Sequence, residues 1–382
     1  MPPKHDFEVA VIGAGVVGCA VALALARRGA AVAVLEAEPE PGLAASGTNS
    51  GILHTGFDST PGELETELIL ASSTIRDPMF RALGISALPC GALMRPLKDS
   101  QRATVTVLAA RARLNGVNVV ERDDGALEVP GEAVTDPVAY TLALVAEAER
   151  HGAVLHTSAR VEAIDAYDAG LVVGADSGLT VHCRVVVNCA GLEADSIARL
   201  VGDDSFSIYP RKGEFLVFDP PAGERLERIL LPVPTEHTKG VLVFPTIDGK
   251  IIAGPTAVDL EDKRDWAVRT PAREEIVAKA APLYPPLVDA VPVFAYAGLR
   301  PAGRGVNYLI GPSRTSPSMI NVAAIRSTGL TASLGIAERV AEIVGALGVR
   351  LDREAPLEGG QTPPATGPWW RRTADHRSVI SA

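Results

Sequence analysis

After a polar start the chain enters a β-branched run, Glu8 to Ile12, that stops at Gly13-Ala14-Gly15-Val16-Val17-Gly18. An Ala-rich stretch, Cys19 to Arg28, follows, then Gly29 and a second apolar run, Ala31 to Leu35. This order predicts a strand, a tight turn, a helix and a parallel strand, the βαβ unit of a dinucleotide-binding domain.

Farther along, the alternation loses its regularity. Leu43 to Asp58 is a loop rich in Gly, Ser and Asn, and Glu63 to Ile75 is expected to be helical. Another helix is predicted from Thr135-Asp136-Pro137, a cap followed by proline in the first turn, to Arg150, with Gly152 ending it. Val154 to Ala163 reads as a strand. Leu171 to Ala175 and Thr180 to His182 read as a hairpin around Asp176-Ser177-Gly178, and Val185 to Asn188 as a buried parallel strand. Between Phe206 and Pro292, the runs Glu214 to Phe218, Val241 to Pro245 and Lys250 to Ala253 are punctuated by Pro and Gly, as in an antiparallel sheet of a second domain. Ile320 to Ala324 returns to a buried strand, and Leu330 to Leu347 is a helix with Leu334, Ala337, Val340, Ala341 and Val344 near one face. Asp352 to Ala382 lacks an apolar period and is expected to be a mobile tail. Within it Trp369-Trp370-Arg371-Arg372 stands out as a candidate docking peptide.

A length of 382 residues, 47% of them hydrophobic, suffices for two packed domains or for one elaborated α/β domain with a substantial core. The formal charge of -10 argues against a nucleic-acid partner, since such proteins gather Lys and Arg on one face. The longest apolar stretches are short or interrupted by Gly and Arg, so no transmembrane segment is expected, and the N-terminus does not read as a signal peptide. Cys19, Cys90, Cys183 and Cys189 never fall at CxxC spacing. They are read as reduced thiols of a cytoplasmic protein, and no metal site is expected from this chain alone.

In the glycine fingerprint, Gly13 and Gly15 permit a tight turn and let backbone amides approach a pyrophosphate at the helix N-terminus, while Gly18 lets helix and strand lie close. Glu36 closes the second strand, where an acidic side chain accepts hydrogen bonds from ribose hydroxyls. These features serve NAD and FAD alike.

With these residues in hand, the chain from Glu8 to about Val349 resembles the FAD-dependent D-amino-acid-oxidase (DAO) superfamily. The loop Ala45-Ser46-Gly47-Thr48-Asn49-Ser50-Gly51-Ile52-Leu53-His54-Thr55-Gly56 looks like the segment that runs past the flavin there, and Cys189-Ala190-Gly191 and Gly329-Leu330-Thr331 like its further flavin contacts. Tyr209 to Glu214 and Gly240 to Ala257 are most similar to glycerol-3-phosphate dehydrogenase A-type and L-2-hydroxyglutarate oxidase-like proteins. The chain ends without the Cys-rich C-terminal module of many A-type relatives.

The resemblance implies an α/β fold: a Rossmann-like FAD-binding domain of the glutathione-reductase type, interleaved with an antiparallel-sheet substrate domain. The FAD-binding parts are expected at 1–75, 131–205 and 291–350, the substrate parts at 76–130 and 206–290, and the tail at 351–382. FAD contacts are expected from Gly13, Gly15, Val16, Val17, Gly18, Glu36, Ala45, Ser46, Asn49, Ser50, Gly51, Val161, Ala190, Gly191, Gly329, Leu330 and Thr331.

A reduced flavin needs positive potential beside it, which the helix start at Thr328 to Thr331 supplies. An anionic substrate calls for a bidentate arginine, and Arg300 in Gly298-Leu299-Arg300-Pro301 is the first candidate, with Arg211 and Lys212 behind it. His54 stands in the flavin loop as a base for a hydroxyl proton, a flavin contact without proton transfer, a flavin attachment point or a purely structural residue. The place four residues after it, basic in the aerobic glycerol-3-phosphate class, is Asp58. The expected reaction is hydride transfer from a hydroxyl-bearing carbon of a small anionic substrate to flavin. The alternatives are an amine or amino-acid oxidase and a non-catalytic flavoprotein subunit. Oxygen, a quinone and a carrier protein all remain open as electron acceptor.

Overall fold

The computed structural model describes residues 6–167, 170–221, 224–235, 239–360 and 367–380. At its centre five parallel strands run in the order Met319–Ala323, Thr180–Asn188, Phe7–Ile12, Val32–Leu35 and Val154–His156. Val9 to Ile12 and Val32 to Leu35 are buried on both faces, the pattern of a parallel sheet covered on each side. The fingerprint helix Val16–Ala26 is apolar around almost its whole circumference and packs between the helices Pro137–Arg150 and Gly329–Ala346. Asp136 caps the former, its carboxylate accepting from the N–H groups of Val138 and Ala139. The carboxyl ends of the strands meet at Ile12, Leu35 and Asn188, which opens a crevice where strand order reverses.

A second, mainly antiparallel sheet of nine strands joins residues 92–94 and 120–129 to strands between 208 and 303. Its spine is the pair Ile208–Phe218 and Phe294–Gly303, in register from Ile208 opposite Gly303 to Val217 opposite Phe294. Residues 294–303 therefore belong to this sheet, although the sequence placed them in the third FAD-binding part. The run Phe294 to Leu299 is apolar enough for either sheet, and ten residues of pairing decide it.

Three other expectations are corrected. The helix expected to end at Ile75 continues to Leu83, because Met79, Phe80 and Leu83 bury against the core, and it stops at Gly84 in left-handed backbone. The strand expected over Val154 to Ala163 is two strands, Val154–His156 and Val161–Tyr167. Between them Ser158, at φ 50°, and Ala159 donate their N–H groups to the carbonyls of Glu38 and Glu36, which pulls the chain off the sheet edge. The tail is packed where it is described; 361–366 and 381–382 lie outside the described residues. Asp352 and Ala355 donate to Arg28 and Arg27 carbonyls, and Trp369–Ile380 is a helix with Trp369 and Trp370 buried. Two adjacent indoles carry a large apolar area without forming a period that the sequence displays.

Candidate functional site

The crevice continues into a cavity of about 1250 Å³ that reaches from the fingerprint to the antiparallel sheet. That exceeds the ~300–1,000 Å³ of ordinary small-molecule sites and leaves room for a dinucleotide and a substrate together.

At the nucleotide end, Gly13 adopts φ +98°, and a Cβ there would meet the Cys189 carbonyl at 2.7 Å. A Cβ on Gly18 would lie 1.9 Å from the Gly13 carbonyl, so the helix presses on the turn with room for hydrogen alone. The N–H groups of Gly15 and Val17, both on the cavity lining, find no acceptor among the described residues, as expected of a helix start that receives an anion. Val16 N–H donates to Ser46 Oγ at 2.9 Å, tying the following loop to the fingerprint. Glu36 Oε2 accepts from Ala14 N–H at 2.6 Å and Oε1 from Glu38 N–H at 2.9 Å. Burial raises its carboxyl above the usual range against those two bonds. Gly13, Gly15, Val16, Val17, Glu36, Ala45, Ser46, Asn49, Ser50, Val161, Ala190, Gly191, Gly329 and Leu330 all line the cavity. The N–H groups of Leu330 and Thr331 are also unclaimed among the described residues, so this second helix start supplies positive potential at the cavity wall. Glycine cradles, free amides and a ribose-ready carboxylate fit FAD.

Three residues expected at the flavin stand behind the wall. Gly18 acts by packing. Gly51, at φ +75°, presses on the Thr135 carbonyl, where a Cβ would come within 2.3 Å. Thr331 Oγ1 accepts from the His54 N–H at 3.1 Å and donates to the Ile52 carbonyl.

At the other end, His54 lines the cavity with its side chain 22% exposed. Its Nδ1 lies 3.0 Å from Oε2 of Glu132, whose other oxygen accepts from Thr55 N–H at 2.7 Å and Thr55 Oγ1 at 2.9 Å. Glu132 is fully buried. A carboxylate that only accepts makes Nδ1 the donor, so Nε2 is left with its lone pair toward the cavity. Beside this pair, Lys239 Nζ lies 2.5 Å from Asp58 Oδ2. Burial would raise the Asp58 carboxyl, but the Lys239 charge outweighs it and Asp58 titrates low; the Lys239 side chain is 60% exposed, and the Asp58 charge raises it.

Arg300 crosses the antiparallel sheet over Gly213, where a Cβ would come within 3.1 Å of Nη2. Its Nε donates to the Arg211 carbonyl at 3.0 Å and Nη2 to those of Lys212 and Thr256 at 3.1 and 2.8 Å. No carboxylate pairs with it among the described residues. Burial and then the nearby Arg211 charge push its pKa down to about 10, which leaves it a cation at neutral pH. Arg211 lies on the same face but is held bidentately by Asp259 at 2.6 and 2.8 Å. Lys212 is corrected as a substrate ligand. Strand alternation turns it to the far face, where it is fully buried and bonded to the Ala267 carbonyl and Asp265, both at 2.8 Å.

Sequence reasoning missed Glu132 and Lys239. Glu132 is a lone acid after Pro130-Gly131, with nothing local to mark it. Lys239 directly precedes Gly240, where the recognisable motif begins, and that adjacency was its only signal.

A parallel sheet with a glycine-cradled crevice, joined through a shared cavity to an antiparallel sheet that carries Arg300, with His54 on the loop between, defines a two-domain dinucleotide-dependent oxidoreductase. The family comparison makes this particular: residues 8–343 match the DAO model, FAD dependent oxidoreductase, and the chain belongs to that family, with FAD as its cofactor. It is 29% identical over 364 residues to a glycerol 3-phosphate dehydrogenase of Caloramator mitchellensis, covering 91% of this chain and 76% of that one. It is 29% identical over 285 residues to the mitochondrial L-2-hydroxyglutarate dehydrogenase of Caenorhabditis elegans, covering 67% and 66%. The fold superposes on the dithionite-reduced, FAD-bound L-α-glycerophosphate oxidase of Mycoplasma pneumoniae with a TM-score of 0.86 at 24% identity, covering 94% and 99%.

Proposed function

We propose that the protein oxidises the hydroxyl-bearing carbon of a small anion, a 2-hydroxy acid or a glycerol-3-phosphate-like compound, to a carbonyl. The carrying observation is that a histidine with its proton acceptor turned to the cavity and a cation without a carboxylate partner line one wall system. Arg300 takes the anionic group, and the Asp58-held Lys239 stands where a second polar or charged end reaches. His54 Nε2 accepts the hydroxyl proton, and Glu132 stabilises the imidazolium that results. FAD, when bound, accepts the hydride from the donor carbon. An amine substrate, oxidised from its neutral form, has no need of such an acceptor, so the His54-Glu132 pair favours a hydroxyl. The names of the relatives in Caloramator and Caenorhabditis support the same class.

The protein acts in the cytoplasm in this reading, which its four free cysteines support. No helix among the described residues is long and apolar enough to cross a membrane. The test is anaerobic mixing of the holoprotein with glycerol 3-phosphate, a panel of 2-hydroxy acids and matching amino acids while flavin absorbance is followed. Bleaching by an anionic hydroxy compound is the expected result. Bleaching by amino acids alone overturns the proposal.

A further inference from the structure

The C-terminal helix Trp369–Ile380 lies beyond residue 343, where the family match ends, and its Trp-Trp-Arg-Arg start has no role in the chemistry above. It joins both halves of the molecule. Trp369 and Trp370 are buried in the core of the antiparallel sheet with Phe215 and Tyr296, and Trp370 Nε1 donates to Asp248 at 3.0 Å. The docking surface of the indoles is thus this chain's own sheet.

From that anchor the next turns reach the loop that follows the ribose carboxylate. Arg372 donates to the Pro41 carbonyl, and Arg377 donates to the Leu43 carbonyl through Nε and Nη2 at 3.1 and 2.6 Å. His376 Nε2 and Arg377 Nη1 both lie 2.9 Å from the carboxylate of Glu38. A Cβ on Gly47 would come within 2.2 Å of Thr373 Oγ1, so loop and helix touch without a gap. Glu38 in turn donates its N–H to Glu36, which places the helix one residue contact from the ribose site. Arg377 also lines the cavity and lies over the Trp266 ring at 4.9 Å.

We propose that this helix is a cofactor-binding element: a clasp, anchored by its indoles, that holds residues 36–47 in their FAD-binding shape through the Arg377–Glu38 and Arg377–Leu43 contacts. A loop ordered before the nucleotide arrives loses less conformational freedom on binding. This raises FAD affinity without touching substrate.

The test titrates full-length apoprotein with FAD and follows quenching of flavin fluorescence. Arg377→Ala should raise the FAD dissociation constant roughly tenfold to a hundredfold, the loss of charged hydrogen bonds from a preorganised loop. The melting temperature of the apoprotein should stay near the parent's, while the increase conferred by FAD shrinks. Glu38→Gln, which attacks the same contact from the loop side and leaves the helix intact, should weaken FAD similarly, and the double variant should be no worse than either alone. Arg371→Ala, on the exposed face of the helix, should leave FAD affinity as it was. If Glu38→Gln and Arg377→Ala both bind FAD within about twofold of the parent, the scatter of uncoupled sites, the proposal is overturned and the helix is structural only. Should Arg377→Ala fail to fold, Glu38→Gln decides by the same criterion.

Discussion

At the nucleotide end of the cavity the donors are backbone N–H groups of neighbouring residues, while at the end proposed for substrate the polar groups are side chains brought together from far apart. His54 meets Glu132 across 78 residues, and Arg300 reaches the Thr256 carbonyl across 44. The first end depends on the absence of side chains, since its clearances leave room for hydrogen only. The second depends on charges whose partners are set by the fold. A change at the nucleotide end therefore removes the cofactor, whereas a change at the substrate end leaves a coloured protein with altered chemistry.

The largest effect expected is from Gly18→Val. Its Cβ would stand 1.9 Å from the Gly13 carbonyl, so the helix must leave the turn, and the purified protein should carry no flavin. A normal flavin-to-protein ratio would break the comparison at its first end. His54→Gln should keep its flavin but lose about 10²- to 10⁴-fold in the rate of flavin reduction by substrate. Glu132→Gln should lose less in the same assay, because the amide leaves Nε2 present but no longer selects its tautomer. A Glu132→Gln variant as fast as the parent across the pH profile would mean that the buried acid only fills space.

Arg300→Lys should lower kcat/KM by roughly thirtyfold to a thousandfold, the cost of losing a charged, aligned contact. An Arg300→Lys variant with unchanged kcat/KM would assign the anion to Lys239 instead. The smallest effect on catalysis is expected from Lys212→Met. Its ammonium lies on the far face of the strand, so KM should not move while the melting temperature falls, because Asp265 loses its buried partner. A raised KM would return Lys212 to the substrate.

Much of the fold was legible because its signals are local. The fingerprint, the capped helix at Pro137–Arg150 and the hairpin before Asn188 each carry their cause within a dozen residues. Arg300 and His54 were legible as candidates because each stands in a motif. Arg211 and Lys212 were adjacent and equivalent on paper, and the two-residue period of a strand separated them. The C-terminal helix was not legible, since a short segment held by two indoles and a few cations has no period long enough to read.

By itself, then, the amino-acid order determined the dinucleotide-binding unit, the parallel sheet and the presence of a second sheet, since propensity, glycine geometry and apolar periodicity act between near neighbours. Tertiary structure alone decided which acid orients His54, which cation Asp58 holds, which face Lys212 takes and where Trp369 and Trp370 bury. Those outcomes rest on Coulomb and hydrogen-bond contacts between groups that sequence separates by tens to hundreds of residues, and no local rule ranks one distant carboxylate above another.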